Sequence, residues 1–148
     1  MAEREKSISE LLSRPLWSIM TKDVIYIREN DSFSKVAEKL ANSSIRHLPV
    51  INEKGEVVGL FTQRDLYRIV SPQRNEYGEW IYDLDKLDDI ILKHVMVKDP
   101  HVLQPENTVG EAVVLMFSFK YGCVPITDGQ RLLCGIVTQY DILKALHP

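Results

Sequence analysis

Two tetrads, Thr62-Gln-Arg-Asp65 and Thr138-Gln-Tyr-Asp141, carry the same functional groups at the same spacing. Each follows a Gly-apolar-apolar run, Gly59-Leu-Phe and Gly135-Ile-Val, and leads into a helical apolar pattern. A Thr with an acid three residues on is a capping box. The hydroxyl accepts from one free backbone N–H and the carboxylate from another. The same geometry suits a nucleotide. A helix start offers free N–H groups and a positive partial charge to a phosphate, and the Thr hydroxyl can donate to it. The two oxygens of the Asp match two vicinal ribose hydroxyls. Both readings can hold together. Ser, Asn or Glu would cap equally well, so two identical Thr-Gln-x-Asp starts point beyond capping.

A second pair of segments is Ile45-Arg-His-Leu-Pro-Val50 and Tyr121-Gly-Cys-Val-Pro-Ile126. Proline has no N–H, which predicts an edge position or the first residue of a strand. A strand end there exposes backbone groups to a base such as adenine. Arg46 and His47 either bring positive charge to that ligand or form a solvated basic pair. Met20-Thr-Lys-Asp23 and Met96-Val-Lys-Asp99 read as turns entering a first strand. Catalytic patterns are missing. The four histidines (His47, His94, His101, His147) have no metal-ligand spacing, and there is no G-x-S-x-G, P-loop or G-x-G-x-x-G. Cys123 with His47 is a conceivable nucleophile pair, but a small buried strand residue is the simpler account of Cys123. No catalytic residue, metal or catalytic cofactor is expected.

These residues belong to a tandem repeat. A shift of 76 superposes residues 20–70 on 96–146 without a gap, with eight identities in 51 positions. They include the whole of Gly-x-x-Thr-Gln-x-Asp, and apolar character matches elsewhere. Each copy reads as β-α-β-β-α. Extended runs at Val24–Ile27 and Val102–Leu103 lead to amphipathic helices. The first places Phe33, Val36, Ala37, Leu40 and Ala41 on one stripe after a cap at Ser32 or Asp31. The second starts from a capping box, Thr108 and Glu111, and is apolar nearly all round from Ala112 to Phe119. Hairpins follow: His47–Ile51 with Val57–Thr62, turning at Asn52–Gly55, and Cys123–Thr127 with Leu132–Thr138, turning at Asp128-Gly129. Closing helices cover Asp65–Val70 and Asp141–Leu146. Leading helices are expected at Ile8–Ile19 and in the second half of Trp80–Val95, on Leu84, Leu87, Ile90, Ile91 and Val95. Residues 71–78 read as a turn-rich linker. The domains are therefore 1–75, the first unit with its leading helix and the start of the linker, and 76–148, the linker helix and second unit. Trp17, Trp80, Tyr77 and Tyr82 lie outside the repeated core, where an oligomer contact or partner surface is expected.

Composition bounds the classes. The chain has 148 residues, 45% apolar and 26% charged, with a net charge of −3. That balance argues against nucleic-acid backbone binding, which needs surplus Lys and Arg. The longest apolar runs, such as Ala112–Phe117, fall far short of the roughly 20 residues that span a bilayer. The start, MAEREKSISELL, has no apolar signal core, and two cysteines make no disulfide framework. A cytoplasmic location without membrane association is expected.

The duplicated unit, Met-Thr-Lys-Asp-Val, the Ile-Arg-His-Leu-Pro-Val strand and the Gly-Leu-Phe-Thr-Gln-Arg-Asp-Leu end resemble the CBS domain, named for cystathionine β-synthase. Over residues 16–147 the chain is similar to a tandem pair, a Bateman module. The resemblance implies an α+β fold, with two β-α-β-β-α units packed about a pseudo-two-fold axis, each with a leading helix. It implies a regulatory ligand of the adenosyl class (AMP, ADP, ATP or S-adenosylmethionine) in two clefts between the copies, a homodimer, and a regulated partner protein. Carried over by position, the first cleft joins Thr21, Lys22, Asp23, Val24, Ile25, Ile45, Arg46, His47 and Pro49 with Thr138 and Asp141. The second joins Thr62, Arg64 and Asp65 with Val97, Lys98, Asp99, His101, Tyr121, Gly122, Cys123 and Pro125. The clefts are expected to differ, since Val97 replaces Thr21 and Gly122-Cys123 replaces Arg46-His47. The alternative is a dimerisation scaffold whose clefts hold no ligand. The presence of both Asp65 and Asp141 argues against it.

Overall fold

The computed structural model describes residues 2–42, 45–70, 73–81 and 87–147. It is a mixed α+β structure that divides into two units, each with its own core. Their membership follows packing, and it crosses the sequence repeats.

One unit contains residues 25–53 and 58–100. Its sheet runs in the order β1 (Ile27–Arg28), β2 (His47–Ile51), β3 (Val57–Thr62, from residue 58) and β6 (Val97–Lys98). β1 pairs parallel with β2, and β6 antiparallel with β3. Helix α2 (Phe33–Asn42) packs the predicted stripe of Phe33, Val36, Ala37 and Leu40 into the core, while Ala41 is exposed. Ser32 precedes it and accepts from Lys35 N at 3.4 Å. Phe33 meets Phe61 edge to face, ring centroids 5.4 Å apart. Each such ring contributes about 1.5–3 kcal/mol by burial. Helix α3 (Gln63–Ile69) follows β3 directly.

The other unit contains residues 1–24, 54–57 and 101–148. β7 (Cys123–Thr127) and β8 (Leu133–Thr138) form an antiparallel hairpin with a register shift at Ile126/Thr127. Leu103 bridges Ile126 in parallel, and Thr21 bridges Ile136 antiparallel. Helix α1 (Ala2–Ser13) packs against α5 (Val109–Phe119) and α6 (Gln139–Leu146). Gly110 allows the close approach, since a Cβ there would stand 3.0 Å from the Leu12 carbonyl oxygen.

The two sheets share one register under the 76-residue shift. Ile27 opposite Val50 becomes Leu103 opposite Ile126, and Val97 opposite Leu60 becomes Thr21 opposite Ile136. The strand before each copy therefore pairs with the β-hairpin of the other copy.

Four expected element bounds need correction. The helix over 8–19 is instead α1, ending at Ser13, because Pro15 cannot continue it; a separate 3-10 turn covers Leu16–Ser18. The first extended runs pair only at Ile27–Arg28 and Leu103. The linker folds into a hairpin, β4 (Gln73–Arg74) with β5 (Trp80–Ile81), and Asn75 Oδ1 accepts from Tyr77 N and Glu79 N across its turn. The helix expected before Val95 breaks at Asp88–Ile90, leaving only α4 (Leu92–Val95) beyond it; Leu84 and Tyr82 lie outside the described residues.

The prolines sit inside strands, not at their first residues. Pro49 and Pro125 are each the third residue of a five-residue strand, and both are buried. The pairing explains it. Pro125 accepts from Leu103 N at 3.2 Å through its carbonyl. The N and C=O of one strand residue face the same neighbour, so the missing N–H falls just where that parallel partner begins.

Candidate functional site

Both capping boxes form. Thr62, in extended backbone, accepts from Asp65 N at 3.1 Å, and Asp65 Oδ2 accepts from Thr62 N at 3.0 Å and Thr62 Oγ1 at 2.9 Å. Thr138 and Asp141 repeat the pattern at 3.2, 2.8 and 3.1 Å. In each Asp one oxygen serves the cap, and Oδ1 lies outside the box. The capping reading holds at both helices without consuming the carboxylate.

In the unit containing Asp141, the structure brings Thr21 to this acid. Thr21 Oγ1 donates to Asp141 Oδ1 at 3.3 Å. Two backbone bonds fix it there: Thr21 N to Ile136 O at 2.9 Å and Ile136 N to Thr21 O at 3.0 Å. Lys22 and Asp23 beside it are exposed, and Val24 is half-buried. Gln139 N donates to Gly122 O at 3.1 Å, which seats the start of β7 against the start of α6. Tyr121 then reaches His101, with the hydroxyl 3.3 Å from Nδ1. Phe119 completes a trio, stacked on His101 at 4.3 Å and on Tyr121 at 5.6 Å. Phe119 was not among the expected site residues. Its repeat equivalent is Ser43, so the 76-residue shift gives no hint of it.

Cys123 is fully buried, and burial pushes its thiol up to about 12. A thiol in that state supplies no thiolate near neutrality, so the nucleophile pair with His47 has no chemistry behind it. Pro125 is buried beside it.

In the unit containing Asp65, the counterpart of Thr21 is Val97, paired with Leu60, while Lys98 pairs with Gly59. Asp99 N donates to Val58 O at 3.2 Å, and Asp99 adopts positive φ. Gln63 N donates to Arg46 O at 2.9 Å, matching the bond to Gly122. Ile45 packs on the core, Pro49 is buried, and Arg46 and Arg64 are exposed. His47 is half-buried. Burial and then the Arg46 charge push its imidazole below the ordinary value, against an opposing pull from Asp65. Ile25 is exposed in the same unit.

The repeated glycines have a packing reason that the motif alone does not reveal. Gly59 and Gly135 lie beneath Met96 and Met20, the first residues of the two Met-x-Lys-Asp segments. Both partners were legible as identities; their contact was not. Among the described residues no group of three or more His, Cys, Asp or Glu can hold a metal ion, and no helix is long and apolar enough to cross a membrane.

Known proteins resemble the chain in sequence and in fold. An uncharacterized protein of Methanopyrus kandleri is 30% identical over 127 residues, covering 85% of this chain and 59% of that protein. Inosine-5'-monophosphate dehydrogenase of Methanocaldococcus jannaschii is 29% identical over 126 residues, 85% of this chain but only 22% of the enzyme. The chain thus spans about a quarter to three-fifths of these relatives. In fold, the CBS domain pair of protein MJ0100, solved with 5'-methylthioadenosine and S-adenosyl-L-methionine, superposes with a TM-score of 0.73 at 22% identity, covering 90% of this chain and all of that one. CBSX2, solved with AMP, gives 0.72 at 21% identity over 88% of this chain and 94% of that one. The CBS domain model matches residues 16–72 and again 92–148, taking in both repeats and both Thr-Gln-x-Asp starts. The chain belongs to the CBS domain family, as a tandem pair.

Proposed function

We propose that this CBS pair is a regulatory module that binds an adenosyl ligand, of the AMP, ADP or ATP kind, and signals its level to a partner protein. One observation carries the reading. Asp65 and Asp141 each spend only Oδ2 on the cap. Among the described residues Oδ1 of Asp65 accepts no hydrogen bond and Oδ1 of Asp141 accepts only the long one from Thr21, so a ribose hydroxyl can be received at either acid. Thr138 and Thr21 stand beside the one acid and Thr62 beside the other, whose strand β3 carries the paired Val97–Lys98 segment. The ligands of MJ0100 and CBSX2, all adenosyl compounds, support the same class. The module acts in the cytoplasm and performs no catalysis of its own. The nucleotide is its regulatory ligand and no catalytic cofactor is needed.

A homodimer is part of the proposal. Helix α5 buries Val109, Ala112 and Met116, yet leaves Phe117 86% and Val114 63% exposed, and Leu143 on α6 is 64% exposed. An apolar helix covered on one side only calls for a second cover.

A thermal-shift panel of AMP, ADP, ATP, S-adenosylmethionine and GMP tests the ligand class, because a ligand of the native state raises its stability by mass action. Stabilisation by adenosyl compounds and not by GMP is expected. No shift with any adenosyl compound would favour a ligand-free dimerisation scaffold.

A further inference from the structure

We propose that Thr21 lowers the affinity of the Asp141 site by holding the carboxylate oxygen that a ribose hydroxyl needs. The inference rests on the reading of Asp141 as a ribose acceptor. Asp141 Oδ2 already takes two donors, the N–H and the hydroxyl of Thr138. Oδ1 takes the hydroxyl of Thr21 at 3.3 Å. A carboxylate offers about four lone-pair positions in all, so three are occupied before a ligand arrives. Two vicinal ribose hydroxyls need two. One bond must be given up, and the one to Thr21 is the longest of the three.

The second copy is an internal comparison. Asp65 has the same two bonds from Thr62 to Oδ2, at 3.0 and 2.9 Å. The residue equivalent to Thr21 is Val97, which has no hydroxyl, and among the described residues Asp65 Oδ1 accepts no hydrogen bond. The two acids therefore start from different states, and the difference traces to one side chain.

Thr21 does not need its hydroxyl to stay in place. Its backbone is paired on both sides of the bridge to Ile136, and Met20 anchors the segment against Gly135. Valine at this position preserves shape and extended backbone while removing only the donor. The same valine occurs naturally at position 97.

Calorimetric titration in an Asp65→Asn background, which leaves the Asp141 site to dominate, tests this with AMP and 2'-deoxy-AMP. Thr21→Val is expected to tighten AMP by about fivefold, the equivalent of one modest hydrogen bond, and to tighten 2'-deoxy-AMP less. Thr21→Ser keeps the donor and is expected to bind as the parent does. Unchanged or weaker AMP binding by Thr21→Val would overturn the inference, since the hydroxyl would then be irrelevant or a ligand contact. If the wild-type protein binds neither AMP nor any other adenosyl compound, the ribose reading itself fails and the inference with it. That outcome is distinct from binding that ignores Thr21.

Discussion

Met20 packs its sulfur directly on Gly135. A Cβ built on that glycine would stand 2.8 Å from Sδ and 3.0 Å from the Thr21 carbonyl oxygen. Met96 does the same on Gly59, with Sδ 2.5 Å from the corresponding point. The two contacts lie in the segments that bring Thr21 to Asp141 and pair Val97 with Leu60. They differ in what blocks the Cβ. The atoms nearest the Cβ position over Gly59 all belong to the flexible Met96 side chain, whereas over Gly135 a backbone oxygen is among them.

Gly135→Ala is therefore expected to cost about 1–3 kcal/mol, the range for overpacking a tight site, and more than Gly59→Ala. Gly129→Ala, with open space around the new methyl, is expected to be nearly neutral. Urea unfolding midpoints of the three variants check the order. Equal midpoints would remove the packing argument.

The two acids are expected to act as ribose acceptors. Asp65→Asn or Asp141→Asn keeps size but loses charge and half the acceptor capacity, which should weaken a ribonucleotide by about tenfold at its own site. The loss should shrink for a 2'-deoxynucleotide, where one hydroxyl partner is already gone. A purely structural cap predicts a small change in stability and no change in affinity. Calorimetry with both ligands separates the two.

His47 makes stability pH-dependent. Its folded value lies below the ordinary one, near 6.5, so the unfolded chain takes up the proton first as pH falls. Its contribution is complete above about pH 6.5 and is lost as pH drops toward the folded value. His47→Gln should flatten the decline in unfolding midpoint between pH 7.5 and 5.5, a range above most carboxylate titrations. A decline of the same size in the variant would assign it to other groups.

Self-association should run through the uncovered side of α5. Phe117→Asp places a charge where the most exposed aromatic of the described residues stands. Loss of a central aromatic anchor costs about 2 kcal/mol or more, roughly thirtyfold in dimer affinity. Sedimentation equilibrium should show a dimer for the wild type and a monomer for the variant. A wild-type monomer at high micromolar concentration would contradict the proposed homodimer.

What could be read from the sequence was mostly local. Thr62, Thr108 and Thr138 cap their helices as expected because the signature lies within four residues. The hairpins followed from short alternating runs with turn residues between them. The family resemblance added the fold class. What stayed hidden depends on partners distant in sequence. Nothing near Thr21 says that it pairs with Ile136, or that Met20 needs a glycine at 135. Pro49 and Pro125 misled because a strand's hydrogen-bonding sides depend on where its neighbour begins. The hairpin at residues 73–81 has too few apolar residues for any period to show. Arg74 over Trp80, at 4.7 Å, joins residues across its two strands.

The crossed pairing also imposes a timetable on synthesis. One unit draws on nothing beyond Pro100, so its sheet can close, Val97 against Leu60, while the rest of the chain is still being made. The other must hold Met20 and Thr21 in waiting until Gly135 and Ile136 leave the ribosome. Until α5 and then α6 are made, α1 lacks the helices it packs against, and Leu11 is without its final cover. Met20 and Thr21 thus find their places only after residues far later in the chain have been made, and the Asp141 site cannot assemble before then.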